Sequence, residues 1–281
     1  MQWRRVTAGV ASLAILASGI SSARAETPLE RGTYLMHSIV ACGNCHTPKG
    51  PQGDVPGMEL AGGVLFQEDE FTAVSPNITP DAETGIGKWT DAQIIASIRE
   101  GKRPDGTIIG PPMPIALYRG MADDDVKAIV AYLRSVKPIA NKPAKSQYKI
   151  PLPPSYGPPV ASVAAISRAD KVAYGKYLAG PLGHCVECHS TPGANGAPDF
   201  INHTGGGGVH FNGPWGVSYA PNITPAALGK YSDDDIKNAI TKGVRPDGSR
   251  LMPPMAYSYY ANVAPADLDA IVAYLRTLKP L

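Results

Sequence analysis

Every cysteine of the chain lies in one of two five-residue stretches, Cys42-Gly43-Asn44-Cys45-His46 and Cys185-Val186-Glu187-Cys188-His189. Each reads C-x-x-C-H. Two thiols three residues apart, on a tight turn that leads into a helix, can reach the two vinyl groups of one porphyrin as thioethers. The adjacent histidine then falls beneath the iron and can ligate it through an imidazole nitrogen. A zinc site would want both C-x-x-C pairs on one metal and would leave the histidine after each pair unexplained. A redox dithiol would sit in a βαβ pattern, which the sequence lacks. The two copies therefore predict two covalently bound haem c groups, held by Cys42, Cys45, Cys185 and Cys188, with His46 and His189 as proximal iron ligands.

The other face of each iron decides between two kinds of chemistry. A haem held by one histidine can react at its open face, whereas a haem with a second strong ligand mostly transfers electrons. Met113 follows His46 at 67 residues and Met255 follows His189 at 66. Both come after a proline pair, Pro111-Pro112 and Pro253-Pro254, in a loop stiff enough to present a thioether sulfur. Sulfur suits iron and raises its potential. Met252 is a rival in the second copy, but it aligns with Gly110, which has no side chain to offer, so the repeat favours Met255. His37, His184, His203 and His210 have no counterparts at matched positions and read as ordinary surface or loop histidines.

These residues are positioned by a duplication at an offset of about 143 residues. Pro76-Asn77-Ile78-Thr79-Pro80 returns as Pro221-Asn222-Ile223-Thr224-Pro225. Arg103-Pro104-Asp105-Gly106 returns as Arg245-Pro246-Asp247-Gly248. The run from Ala128 to Arg134 returns from Ala270 to Arg276. The expected organisation is a signal peptide over 1–25, a first domain over 26–138, a linker over 139–167 and a second domain over 168–281. A helix is predicted from Pro28 to Val40, ahead of the first motif. Another is opened by a capping box at Thr90 with Gln93 and stopped by Gly101; Ser232 and Gly243 play the same parts in the second domain. A last helix carries the apolar stripe Val126, Ile129, Val130 and Leu133, with Asp123 to Asp125 at its positive end. Prolines 151, 153, 154, 158 and 159 make the linker stiff and extended, either a strap over the surface or a plain spacer.

Groups that would tune the irons are sought in the repeat as well. Haem propionates need donors, and Arg103 and Arg245 recur in identical settings. They are expected to contact the propionates, as are Asn77 and Asn222; the competing reading is turn chemistry, since both motifs form good turns in themselves. The run Gly205 to Gly208 is followed by no Lys-Ser or Lys-Thr and aligns with Gly62-Gly63, so it reads as loop geometry rather than a phosphate cradle.

Export is expected from the N-terminus. Arg4 and Arg5 precede an apolar core from Val6 to Ile20, and Ala23-Arg24-Ala25 is an A-x-A cleavage site. No later stretch is apolar and long enough to cross a bilayer. The formal charge of +2 falls to −1 once Arg4, Arg5 and Arg24 are removed, which leaves no basic excess for nucleic acid. The expected location is the periplasm, free or peripheral to the inner membrane.

Each unit resembles a class I cytochrome c domain, with an early C-x-x-C-H, a late methionine and flanking helices. The resemblance implies an all-α, loop-rich fold of two tandem domains in which the first and last helices cross, Gly32 near Tyr132 and Gly175 near Tyr274. The segment from Pro76 through Asp81, Glu83, Thr84 and Gly85 to Trp89 is similar to the cytochrome c subunits of bacterial periplasmic dehydrogenases that act on alcohols, aldehydes and sugar acids. That resemblance implies a periplasmic dehydrogenase as electron donor and an oxidase or another cytochrome as acceptor. Those subunits commonly carry three haem domains and a membrane anchor, and the second unit here has Ala226-Ala227-Leu228-Gly229 in place of Glu83-Thr84-Gly85-Ile86. The alternative is a dihaem enzyme of peroxidase or thiosulfate-oxidising type with one open iron; the paired methionines and the absence of a spare cysteine speak against it.

Overall fold

The computed structural model describes residues 24–194, 196–213 and 215–281, so the core of the expected signal peptide lies outside the described residues. In the first unit, α1 (Pro28–His37) opens on a capping box at Thr27 with Glu30 and has proline at its first position. It ends three residues short of the expected Val40, because Ser38 leaves helical geometry and its hydroxyl bonds back to the Tyr34 carbonyl. The chain then turns through Ala41, in the left-handed region at φ 48°, into α2 (Cys42–His46). Two short strand pairs follow: β1 (Lys49–Gly50) with β2 (Gly53–Asp54), and β3 (Leu65–Gln67) with β4 (Phe71–Val74). Then come α3 (Asp91–Glu100), capped by Thr90 and Gln93 and stopped by Gly101 as predicted, α4 (Ile115–Tyr118) and α5 (Asp123–Ser135).

The linker contributes β5 (Gln147–Tyr148), which adds to the open side of β4. The second unit repeats the plan. It has α6 (Lys171–Tyr177) continued by a π-helical turn over Leu178–Leu182, α7 (Cys185–His189), the hairpin β6 (His210–Gly213) and β7 (Gly216–Tyr219), α8 (Pro225–Leu228), α9 (Asp233–Lys242), α10 (Tyr257–Tyr260) and α11 (Pro265–Leu275). The two units stand as tandem domains, but the all-α expectation holds only in part, because among the described residues seven short strands form three small antiparallel sheets beside the helices. These hairpins sit in glycine-rich loops whose strands are too short to show an alternating pattern.

The terminal helices of each unit cross where glycine replaces a side chain. A Cβ on Gly32 would collide with the Ala128 carbonyl and lie 3.1 Å from the Tyr132 Cβ; one on Gly175 would collide with Ala270 and lie 2.9 Å from the Tyr274 Cβ. The predicted glycine–tyrosine neighbours therefore meet in both units. Leu35, Ile39, Val126 and Ile129 fill the core on one side, Leu178, Leu182, Ile271 and Leu275 on the other, and both sets belong to one continuous apolar cluster.

The units are joined by an exchange of equivalent hydrogen bonds. The Tyr34 hydroxyl of α1 donates to Asp267 at the start of α11 (2.7 Å) and accepts from the Ala264 amide (3.1 Å). The Tyr177 hydroxyl of α6 donates to Asp125 at the start of α5 (2.6 Å) and accepts from the Ala122 amide (3.0 Å). Each unit thus caps the last helix of the other. Burial, reinforced by the facing carboxylate, raises both phenols above their ordinary range, so they stay protonated donors. Asp125 also takes Arg31, at 2.7 Å and 3.3 Å.

The linker is a strap, not a spacer. Tyr148 donates to the Pro111 carbonyl (2.9 Å), Tyr156 to the Ile109 carbonyl (2.8 Å), and the Pro158 carbonyl accepts from Arg119 (2.6 Å). It seals the methionine loop of the first unit.

Two outcomes test this packing. Gly32→Ala or Gly175→Ala should lower the stability of the haem-loaded protein by about 3 kcal/mol in denaturant unfolding. Gly180→Ala, which has open space around it, should be near neutral. Tyr34→Phe should cost about 2 kcal/mol, and Tyr177→Phe less, because Asp125 keeps Arg31 whereas Asp267 receives only Tyr34 among the described side chains. Equal losses would show that Arg31 does not share the load.

Candidate functional site

The two motif histidines are held identically. His46 closes α2 with its Nδ1 2.9 Å from the Pro76 carbonyl, and His189 closes α7 with its Nδ1 2.8 Å from the Pro221 carbonyl. A carbonyl can only accept, so Nδ1 carries the proton and Nε2 keeps the free lone pair that a metal needs. Burial lowers the pKa of both rings and keeps them neutral. The carbonyls of the same histidines accept from the Gly62 and Gly207 amides, each at 2.7 Å. Both glycines have positive φ (75° and 76°), and a Cβ on either would strike the backbone at Pro76 or Pro221. The four-glycine run is therefore loop geometry, as read from the sequence: its third member locks the histidine against the proline segment.

The four cysteines are half-buried. Burial pushes the thiols of Cys42 and Cys188 up to about 12 and those of Cys45 and Cys185 to about 11. Such surroundings favour a neutral sulfur, the state of a thioether, over the thiolate that zinc would require. Among the described residues there is no group of three or more His, Cys, Asp and Glu side chains arranged to hold a metal ion.

A largely apolar cavity in the second unit is lined by Cys185, His189, Met255, Arg245 and Tyr260, and by Ile39 of the first unit. Thiol, imidazole and thioether thus face one space between apolar walls, a donor set that fits a covalently held haem. Met252 does not line this cavity and is exposed. Met113 is half-buried against the core of its own unit. His37, His184, His203 and His210 do not line the cavity either. The Arg103 guanidinium donates to Ile108 O (3.0 Å) and Thr107 Oγ1 (3.3 Å); Arg245 donates to Arg250 O (3.1 Å) and Ser249 Oγ (3.2 Å) while also walling the cavity. Each arginine spans its own turn, and Arg245 is in addition placed to reach a bound group. Asn77 is not: its amide donates to Ile139 O, Asn141 O and Thr84 Oγ1, and its oxygen accepts from Thr79, so its polar atoms serve the loop.

Some supporting residues were not singled out in the sequence. Arg134 binds the carbonyls of Ile86 and Trp89 together with Asp91, and Arg276 binds those of Leu228 and Tyr231 together with Asp233. Their recurrence in the repeated Ala-Ile-Val-Ala-Tyr-Leu-Arg run was the available signal. The contribution of Ile39 to the second cavity had none, because it depends on how the units dock.

Comparison with known proteins agrees with this geometry. The cytochrome c family profile matches residues 30–137 and again 172–279. The chain is 30% identical over 309 residues to the cytochrome c subunit of the quinone alcohol dehydrogenase of Gluconacetobacter polyoxogenes, covering 99% of this chain and 62% of that protein. It is 32% identical over 268 residues to the fructose dehydrogenase cytochrome subunit of Gluconobacter japonicus, covering 89% and 52%. With a diheme c-type cytochrome of Cereibacter sphaeroides it shares 29% over 252 residues, covering 85% and 82%. The chain thus spans roughly half to two thirds of these two dehydrogenase subunits, and most of the diheme protein. Two family matches, each containing one C-x-x-C-H held by the same proline–glycine clamp, establish that the chain belongs to the cytochrome c family, as two tandem domains that carry two covalently bound haem c groups.

Proposed function

We propose that the chain is an exported dihaem electron carrier that accepts electrons from a partner dehydrogenase outside the cytoplasm and passes them to a terminal oxidase or another cytochrome. The observation that carries this reading is the cavity in which His189 and Met255 face the same space as Cys185. The haem supplies reversible one-electron chemistry when bound. The chain's part is to hold a neutral imidazole through Pro76 and Pro221, to offer Met113 and Met255 as the second axial ligands, and to exclude water with apolar walls. Arg103 and Arg245 serve as donors toward the propionates. Closed coordination on both sides favours electron transfer over reaction at iron.

The similarity to the alcohol and fructose dehydrogenase cytochrome subunits supports a dehydrogenase as the donor. The charged, apolar and A-x-A segments of residues 1–25 support export to the periplasm. Among the described residues no helix is long and apolar enough to cross a membrane.

Axial ligation is read from the weak far-red sulfur-to-iron band of the oxidised protein. Met113→Ala and Met255→Ala should each remove about half of that band and lower the potential of one haem, whereas Met252→Ala should leave it intact. Loss of the band in Met252→Ala, or an intact band in Met255→Ala, would reassign the ligand. Peroxide turnover by the purified wild-type protein would favour the enzyme reading instead.

A further inference from the structure

Each methionine loop runs straight into a short helix. The Ile115 amide that opens α4 donates to the Met113 carbonyl (2.8 Å), and the Tyr257 amide that opens α10 donates to the Met255 carbonyl (3.0 Å). Leu117 of α4 and Tyr259 of α10 stand at the same distance after their methionines. The Tyr259 amide donates to Ala256 O (3.0 Å), and the Leu117 amide to Pro114 O (3.1 Å), so each residue is tied by its backbone to the loop before it.

The Tyr259 side chain reaches into the other unit. Its hydroxyl occupies the place that a Cβ on Gly43 would take, inside the first haem motif, and its Cζ lies 3.1 Å from that point. The Thr47 hydroxyl is 3.3 Å from the same point. Thr47 directly follows His46 and accepts from the Leu60 amide (3.1 Å). The phenol thus packs on the turn that carries Cys42 and Cys45 and ends at the proximal histidine. Just past α10, Asn262 donates to the His37 carbonyl at the end of α1 (3.0 Å).

The reverse contact exists as well, with the sizes redistributed. Val186 takes the place of Gly43 in the second motif, is buried, and lines one cavity together with Leu117. Tyr118, beside Leu117, lies edge-on against His184, which precedes Cys185. A Cβ on Gly120, the counterpart of Asn262, would lie 2.9 Å from Pro181. At one contact a large ring meets a residue without a side chain; at the other, two aliphatic side chains share the space. Packed interiors transmit such displacements, and groups that orient a ligand tune the metal it binds.

We propose that Tyr259 is a positioning residue for the haem of the first unit. Carried by the methionine loop of the second unit, it fixes the turn that attaches that haem and presents His46, and Leu117 does the same for the turn of the second unit. A displacement of either methionine loop is therefore passed to the haem of the opposite unit. That the methionines bind iron rests on the proposed function; the contact of Tyr259 with Gly43 does not.

The test uses the haem-loaded, isotope-labelled protein. The amides of 43–47 and of 186–190 each sense the nearer iron, so following them through a redox titration gives the potential of each haem separately. In Tyr259→Leu, the potential of the first haem and the oxidised-minus-reduced shifts of 43–47 should change by more than those of the second haem, although the substitution lies in the second unit. Gly43→Val gives the first motif the residue that the second already carries; it should lower the haem content below two per chain. Adding Tyr259→Leu to it recreates the Val186 and Leu117 pairing and should restore both haems, a coupling that independent sites would not show. A role confined to its own unit predicts the larger change at the second haem. That result, no change at either haem, full loading of Gly43→Val alone, or no rescue in the double variant overturns the proposal. None of these readouts involves an electron donor or acceptor, so the proposal and the proposed function fail separately.

Discussion

The close crossing of the first and last helix in each unit is the constraint from which the other features follow. Gly32 and Gly175 let α1 meet α5 and α6 meet α11 with no side chain between backbones. At one end of the crossing, the exit of α1 leads through Ala41 straight into the first haem motif, and the exit of α6 leads through the π-helical turn and His184 into the second. At the other, the crossing brings Tyr34 and Tyr177 to the helix starts of the opposite unit, where each finds a carboxylate and a free amide. One packing decision thus fixes both where the haems attach and how the two units face each other.

That interface makes the pair more than two beads on a string. Ile39, which packs in the first unit, walls the cavity of the second. Tyr118 stacks edge-on against His184, the residue just before the second motif, with ring centroids 5.9 Å apart. The residues that hold one haem are therefore in contact with the other unit's framework. Yet the units are not equal. In the first, Tyr148 of the strap donates to the Pro111 carbonyl, whereas in the second Ser218 of the hairpin donates to the Pro253 carbonyl.

Much of the site was legible because haem attachment is written as a contiguous motif. Cys42, Cys45 and His46 need only their own turn to come together, and the repeat set the second motif in the same loop frame. Capping was legible for the same reason: Thr90 with Gln93 and Ser232 with Asp235 are local bonds. The small sheets were not, because two- to four-residue strands have no period to read. The loop bonds of Asn77 were not legible, because its partners Ile139 and Asn141 lie more than 60 residues away and accept through backbone atoms that no composition reveals. The exchange of Tyr34 and Tyr177 with the facing aspartates was hidden as well. Their acceptors belong to the opposite unit, and only the docked fold shows that.

The central claim is that both irons are closed by two protein ligands. Carbon monoxide binds ferrous haem only at a free or readily vacated position, so titrating it into the fully reduced protein at neutral pH tests the claim directly. The account predicts an unchanged spectrum with both haems present. Stoichiometric uptake of one carbon monoxide per chain would show an open iron, and would turn the protein from a carrier into a candidate enzyme.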